Sequence, residues 1–180
     1  MADIQPFHGI HYRSTDELSS LVTQPYDKIT SELRAEYTTR SDHNLVHALL
    51  PDEGASRARG MSRYEASAQR IAEWRRDEIL VKDPVPALYP YRQRFSMAGE
   101  THERSGFICR VRVEDYDARV IYPHERTLSG PREDRLNLLR ATRMHFGLIF
   151  LLYEDDGTVQ QCIDTARSEE RRVGKECATG

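Results

Sequence analysis

The densest run of reactive side chains is Tyr122-Pro123-His124-Glu125-Arg126-Thr127-Leu128-Ser129-Gly130-Pro131-Arg132-Glu133-Asp134-Arg135. It places an imidazole, three carboxylates, three arginines and two aliphatic hydroxyls in a stretch punctuated by proline and glycine. Such a loop leads into a helix, whose first-turn N–H groups lack partners and favour anions. Loops on a rigid scaffold commonly carry binding residues. The competing reading pairs Arg126, Arg132 and Arg135 with Glu125, Glu133 and Asp134 on a wet surface, where each pair is worth about 0–1 kcal/mol. A second candidate is Gln24-Pro25-Tyr26-Asp27-Lys28-Ile29. There Asp27 follows a proline and precedes a helix, so capping or turn formation competes with a site role. Tyr26 is open between core and site.

No other stretch matches a known chemical motif. G-x-x-x-x-G-K-[ST], G-x-G-x-x-G, H-E-x-x-H and G-x-S-x-G are all missing from the sequence. His102-Glu103 and His124-Glu125 are dipeptides whose side chains would point to opposite faces of a strand, which disfavours a metal site.

These segments must be positioned by the surrounding elements. A short helix is expected over 15–22 and a second over 31–37, capped by Thr30. The apolar run 44–50, closed by Pro51-Asp52-Glu53-Gly54, reads as a strand and turn. Over 61–80, Tyr64, Ala68, Ile71 and Trp74 recur at spacings of 4, 3 and 3, the stripe of an amphipathic helix. Alternation over 87–97 and 103–113 around Ala98-Gly99-Glu100 predicts a β-hairpin. A strand over 119–122, a helix from Pro131, a buried strand over 146–153 and a last strand over 158–163 complete the expectation. The class is α+β, with a mixed or antiparallel sheet and flanking helices.

The bulk properties limit the function classes. The 180 residues carry 26 Lys+Arg and 29 Asp+Glu, a net charge of −3. Arginine supplies 23 of the basic residues and lysine only Lys28, Lys82 and Lys175. Acidic residues accompany the arginines almost everywhere, so no basic face builds up and nucleic acid is a disfavoured partner. Cys109, Cys162 and Cys177 are odd in number and widely spaced, which argues against a disulfide framework or zinc module and for a reducing cytoplasm. The longest apolar stretch, 146–153, falls far short of the roughly 20 residues that cross a bilayer. After Thr165 the apolar periodicity ends, and 166–180 reads as a solvated arm or, by preference, a string foreign to the protein.

The sequence resembles the domain-of-unknown-function-1015 family, grouped with the free-serine-kinase branch of the ParB/sulfiredoxin-like fold. The residues that carry the resemblance are Ile4-x-Pro6-Phe7-x-Gly9, Pro25-Tyr26-Asp27, Asp83-Pro84-x-Pro86-Ala87-Leu88-Tyr89, Gly106-Phe107-Ile108 and the long block 123–142. Gln24 departs from it, standing where the family usually has a proline.

The resemblance implies a family-specific α+β region over 1–110, then the first part of a ParB-like nucleotide-binding region over 111–165 that would be incomplete. It implies phosphoryl transfer involving ATP or ADP with Mg²⁺ and a small serine-like hydroxy amino acid. Related kinases carry a Pro-His-Glu segment whose glutamate draws the proton from the serine hydroxyl, which puts Glu125 in that role and His124 beside it as an orienting group. Arg126, Thr127, Arg132, Arg135 and Asp27 are the candidates for binding substrate or phosphate. An Asp-Gly-His-His-Arg string, the phosphate cradle of those relatives, is missing. The chain is therefore expected to be a truncated family member, inactive alone. The alternative is a non-catalytic, nucleotide-responsive regulatory or interaction protein.

Overall fold

The computed structural model describes residues 2–123 and 129–166. In chain order the elements are β1 (Ile4–Gln5), β2 (Ile10–Tyr12), α1 (Leu18–Leu21), a 3₁₀ turn (Tyr26–Lys28), α2 (Ser31–Arg40), α3 (Val46–Leu49), α4 (Glu53–Ala58) and α5 (Arg63–Arg76). Then follow β3 (Leu80–Lys82), β4 (Tyr89–Met97), β5 (Glu100–Ile108), β6 (Arg110–Val111), a 3₁₀ turn (Tyr116–Ala118), α6 (Ser129–Thr142) and a helical run α7 over 158–166. The class is α+β, and every ladder among the described strands is antiparallel and two-stranded: β1 with β6, β2 with β3, β4 with β5. The chain divides into two compact units, each discontinuous in sequence.

The helical unit takes in 10–82 and the chain from 123 to 149. Its longest element before α6 is α5, whose start is written in the sequence. Ser62 Oγ accepts from Glu65 N at 3.2 Å while Glu65 Oε2 accepts from Ser62 N at 2.8 Å, a reciprocal cap on two otherwise unpaired amides. The expected stripe faces inward: Ile71 and Trp74 are each 3% exposed and form a core with Ala48 and Leu80. Ile10, Tyr12, Leu45, Ile79, Met144 and Phe146 pack around it. The β2–β3 ladder closes the other side of this core, with Tyr12 opposite Leu80. α6 packs against α5, which holds in place the helix that carries Arg132 and Arg135.

The run 44–50 is not a strand. It forms α3, because Asn44 turns the chain there: its Oδ1 accepts from Val46 N at 3.0 Å and its Nδ2 donates to Ser20 O at 2.6 Å. A short apolar run fits a buried helix as well as a strand, and the side chain before it decides.

His47, on α3, donates from Nε2 to Ser41 O, 3.2 Å away. Burial pulls its pKa below the ordinary 6.5, opposed by the Ser41 carbonyl and Asp42 and reinforced by Arg70 and Arg34. The fold thus prefers neutral His47, and the unfolded chain binds its proton more readily. Unfolding free energy is expected to hold above pH 6.5 and to fall as pH drops from there through the lower folded value. The carboxylates whose values are lowered, Glu32, Glu65 and Asp156, titrate further down and cannot mimic it. Urea unfolding of the parent and of His47→Gln between pH 7.5 and pH 5.5, about a unit either side of the ordinary histidine value, checks this: the variant should lose the slope.

The hairpin unit takes in residues 2–9, 83–122 and 150–166 among those described. Its centre is the β4–β5 hairpin, in register from Tyr89 opposite Ile108 to Met97 opposite Glu100. The loop is Ala98-Gly99, both with positive φ (52° and 83°), the two-residue turn whose twist matches the strands and which glycine adopts freely.

The segments 4–9 and 83–89 are drawn together in this unit. Phe7 bridges to Ala87, Asp83 N donates to Gly9 O, and Gly9 N donates to Tyr89 Oη at 2.6 Å. Tyr89 Oη in turn donates to Asp83 Oδ2 at 2.5 Å. A Cβ on Gly9 would lie 2.6 Å from that hydroxyl, so only glycine fits. Gly9→Ala is expected to cost about 1–3 kcal/mol of unfolding free energy by forcing Tyr89 out of place. Thermal unfolding of the variant, read against Tyr89→Phe, checks it, and an unchanged Gly9→Ala melt would contradict the close approach.

Three expected strands are absent. Arg119 takes a left-handed φ of 51° after a 3₁₀ turn, which no strand over 119–122 tolerates. Residues 146–153 form no ladder: the described strands pair among themselves, and Ile149 and Leu152 are each 85% exposed rather than buried. The stretch 158–163 is helical because Asp155 and Asp156 cap it. Asp155 accepts from Val159 N and Gln160 N at 3.0 and 2.9 Å, and Asp156 from Thr158 N at 3.0 Å. Glu154-Asp155-Asp156-Gly157 thus leads into a helix and not into the expected last strand. The expected tail begins at 166, which ends α7; 167–180 lie outside the described residues.

Candidate functional site

Arg132 and Arg135 lie three apart on α6, which begins at Ser129 rather than Pro131 and so takes in more of the Pro/Gly-bounded stretch than expected. Residues at that spacing are neighbours on one helical face. Arg132 is exposed, whereas Arg135 is held: its Nε donates to Asp134 Oδ2 at 2.9 Å, and its Nη2 donates to the same oxygen. The face of the Arg135 guanidinium lies over the ring of Tyr26, 3.9 Å from its centroid. That contact brings together the two segments singled out in the sequence, Pro25-Tyr26-Asp27 and the block beginning at Pro123. Asp27 itself sits exposed on the 3₁₀ turn beside Tyr26.

The neighbouring helix supplies the rest of the cluster. From the first turns of α5, Arg63 ion-pairs with Asp134, and Tyr64 Oη donates to Asp134 Oδ1 at 2.9 Å. The Arg63 guanidinium lies over the Tyr64 ring at 4.8 Å. One carboxylate therefore serves two guanidiniums and a phenol. The side chains of Arg63, Asp134 and Arg135 are only 25%, 21% and 23% exposed, so this is not the wet surface pairing that the sequence allowed for Arg135. Burial pulls the Arg135 guanidinium below the ordinary arginine value; the phenol of Tyr26 opposes this and the charge of Arg63 adds to it. Both arginines remain cations, and the cluster carries one positive charge more than it neutralises.

His124, Glu125, Arg126 and Thr127 lie outside the described residues. Of the expected site residues, Arg135 is thus drawn to the Tyr26-Asp27 segment, while Arg132 stands open to solvent one turn earlier. Arg63 and Tyr64 were not expected here. They lie about 70 residues before Asp134, and no sequence spacing links positions on two helices that meet only by packing. Their one trace was Tyr64 on the inward stripe of α5, read as core. A shallow depression of about 350 Å³ in the hairpin unit is lined by Gln5, Pro6, Phe7, His8, Pro86 and Arg110, none of them an expected site residue.

The described residues define an α+β protein with an arginine-rich polar cluster at a helix–helix seam, and none of its helices is long and apolar enough to cross a membrane. Residues 4–176 match the family described as Protein of unknown function (DUF1015), and the chain belongs to that family. No curated protein and no solved structure matches the chain.

Proposed function

We propose that the segment 123–135 is the acceptor-activating part of a kinase-like phosphotransferase site, working on a small serine-like hydroxy amino acid with ATP or ADP as phosphoryl donor. The hydroxyl oxygen of the acceptor forms a bond to phosphorus as the bond to the nucleotide oxygen breaks, and the hydroxyl proton passes to Glu125. His124 orients Glu125 or the acceptor. Arg126, Thr127, Arg132 and Arg135 hold phosphate oxygens, and Asp27 lies at the acceptor side. Mg²⁺ offsets phosphate charge when it is bound. It takes few protein ligands in such sites, keeping waters and phosphate oxygens instead, so the lack of any group of three His, Cys or acidic side chains among the described residues is compatible with it. At the level of fold, the reading carries with it the ParB/sulfiredoxin-like branch and a cytoplasmic setting.

The observation that supports this reading most is the seat of Arg135. It is tied to Asp134, stacked on Tyr26 and left with a surplus of positive charge, directly downstream of Pro123-His124-Glu125 in the chain. A cation fixed in this way stabilises transferring phosphate without reorganising.

The test is to incubate the 180-residue chain with serine, Mg²⁺ and either ATP or ADP, and to follow nucleotide binding and phosphoserine separately. Because the chain lacks an Asp-Gly-His-His-Arg string, binding with little or no phosphoserine is expected from it, and turnover from a family chain that carries the string. Nucleotide binding with no phosphoserine from either would favour the non-catalytic, nucleotide-responsive alternative. No nucleotide binding by either chain would sink both readings.

A further inference from the structure

We infer that Arg63 of α5 is a further phosphate-binding cation, and that Asp134 and Tyr26 are positioning residues which aim Arg63 and Arg135 at one dianionic phosphate group. The inference deepens the phosphotransferase reading and rests on it only for the identity of the ligand's remainder.

The argument starts from charge. Arg63 and Arg135 share a single carboxylate, Asp134, which leaves one positive charge to be matched, and the exposed Arg132 lies one turn before Arg135 on α6. A terminal phosphate carries about −1.5 to −2 at neutral pH, whereas a carboxylate ligand carries one. Asp134 cannot supply more, because its two oxygens already accept from Arg63, Arg135 and Tyr64.

Geometry points the same way. Asp134 occupies Nε and Nη2 of Arg135 and Nη2 of Arg63, and Nη1 of each arginine has no partner among the described residues. These spare donors are not buried, so an incoming anion can reach them, and they sit on guanidiniums already fixed through Nη2. The planar fork of arginine suits phosphate oxygens, and two forks anchored to one carboxylate are spaced by it rather than by mobile stems. Tyr26 covers one face of Arg135 at 3.9 Å, removing a conformational freedom that binding would otherwise have to take away.

The test uses the full 180-residue chain and inorganic pyrophosphate as probe, with acetate as the monoanionic control, by titration calorimetry at low salt. Pyrophosphate is expected to bind and acetate not to compete. Arg63→Gln is expected to weaken pyrophosphate binding about tenfold or more, as loss of one charge-assisted fork requires. Arg132→Gln, an exposed position that cannot disturb folding, should weaken it by a smaller factor and flatten its salt dependence. Should Arg63→Gln fail to fold, Arg63→Lys keeps the charge without the fork and is expected to weaken binding in the same direction. Pyrophosphate affinity unchanged in a folded Arg63 variant overturns the inference, as does equal binding of acetate. Since the readout needs no serine and no turnover, an absence of phosphoserine from a family chain that carries the Asp-Gly-His-His-Arg string, together with Arg63-dependent pyrophosphate binding by this chain, would sink the kinase reading and leave this one standing.

Discussion

Alanine in place of Trp74 is expected to lower the unfolding free energy by about 3–5 kcal/mol, the range for emptying a large aromatic site in a core. Trp74 is 3% exposed and touches elements from four parts of the helical unit. It packs with Ala48 of α3 and Leu80 of β3, its ring centroid lies 6.3 Å from that of Tyr12, and the edge of His43 approaches at 6.0 Å. Domains of this kind have about 5–15 kcal/mol in total, so the variant is expected to sit close to its unfolding threshold. The effect should reach the site, because α5 carries both Trp74 and Arg63. Urea unfolding followed by far-ultraviolet circular dichroism measures it, and a loss below about 1 kcal/mol would show that the core is not centred where these packing contacts put it.

Asn44→Ala is expected to cost about 2–4 kcal/mol, since each buried polar group left without a partner costs roughly 1–3 kcal/mol. Asn44 is fully buried. It is a small junction box: Nδ2 donates to Ser20 O at 2.6 Å and reaches Val22 O at 3.4 Å, while Oδ1 caps α3 at Val46 N. Removing it takes partners from the Ser20 carbonyl in α1 and from the Val46 amide at the start of α3 together. Asn44→Asp keeps the cap but loses the donor, and buries a charge besides, so it should be at least as damaging. If both variants unfolded at the parent's urea midpoint, the polar bonds here would be surplus to the fold.

The gains and failures of the sequence reading share one cause, the range over which information acts. The second helix, the Ser62-led amphipathic helix and the β4–β5 hairpin were legible because their determinants are local: a cap within three residues, a stripe repeating every three or four, a turn with glycine. The run 44–50 was misassigned because seven apolar residues suit a buried helix and a buried strand alike, and Asn44 Nδ2 decides through a carbonyl 24 residues away. The run 146–153 looks like a buried strand by hydrophobicity alone, yet a strand exists only where a neighbour offers its backbone. The expected strand over 158–163 fails for a local reason: two aspartates before glycine suit a helix cap as well as a turn between strands, and the amides of 158–160 settle it.

The sequence by itself determined the family, the α+β class and the longer regular elements, and singled out two candidate segments, because type, spacing and turn residues act over a few positions. Only the tertiary structure decided that Tyr26 lies under Arg135, and that Asp134 is shared between Arg63, Tyr64 and Arg135. Those contacts join a 3₁₀ turn and two helices far apart in the chain, and they exist because the apolar stripe of α5 must be covered by α6. Burial of one face thus placed a polar cluster at its rim, which no local pattern specifies.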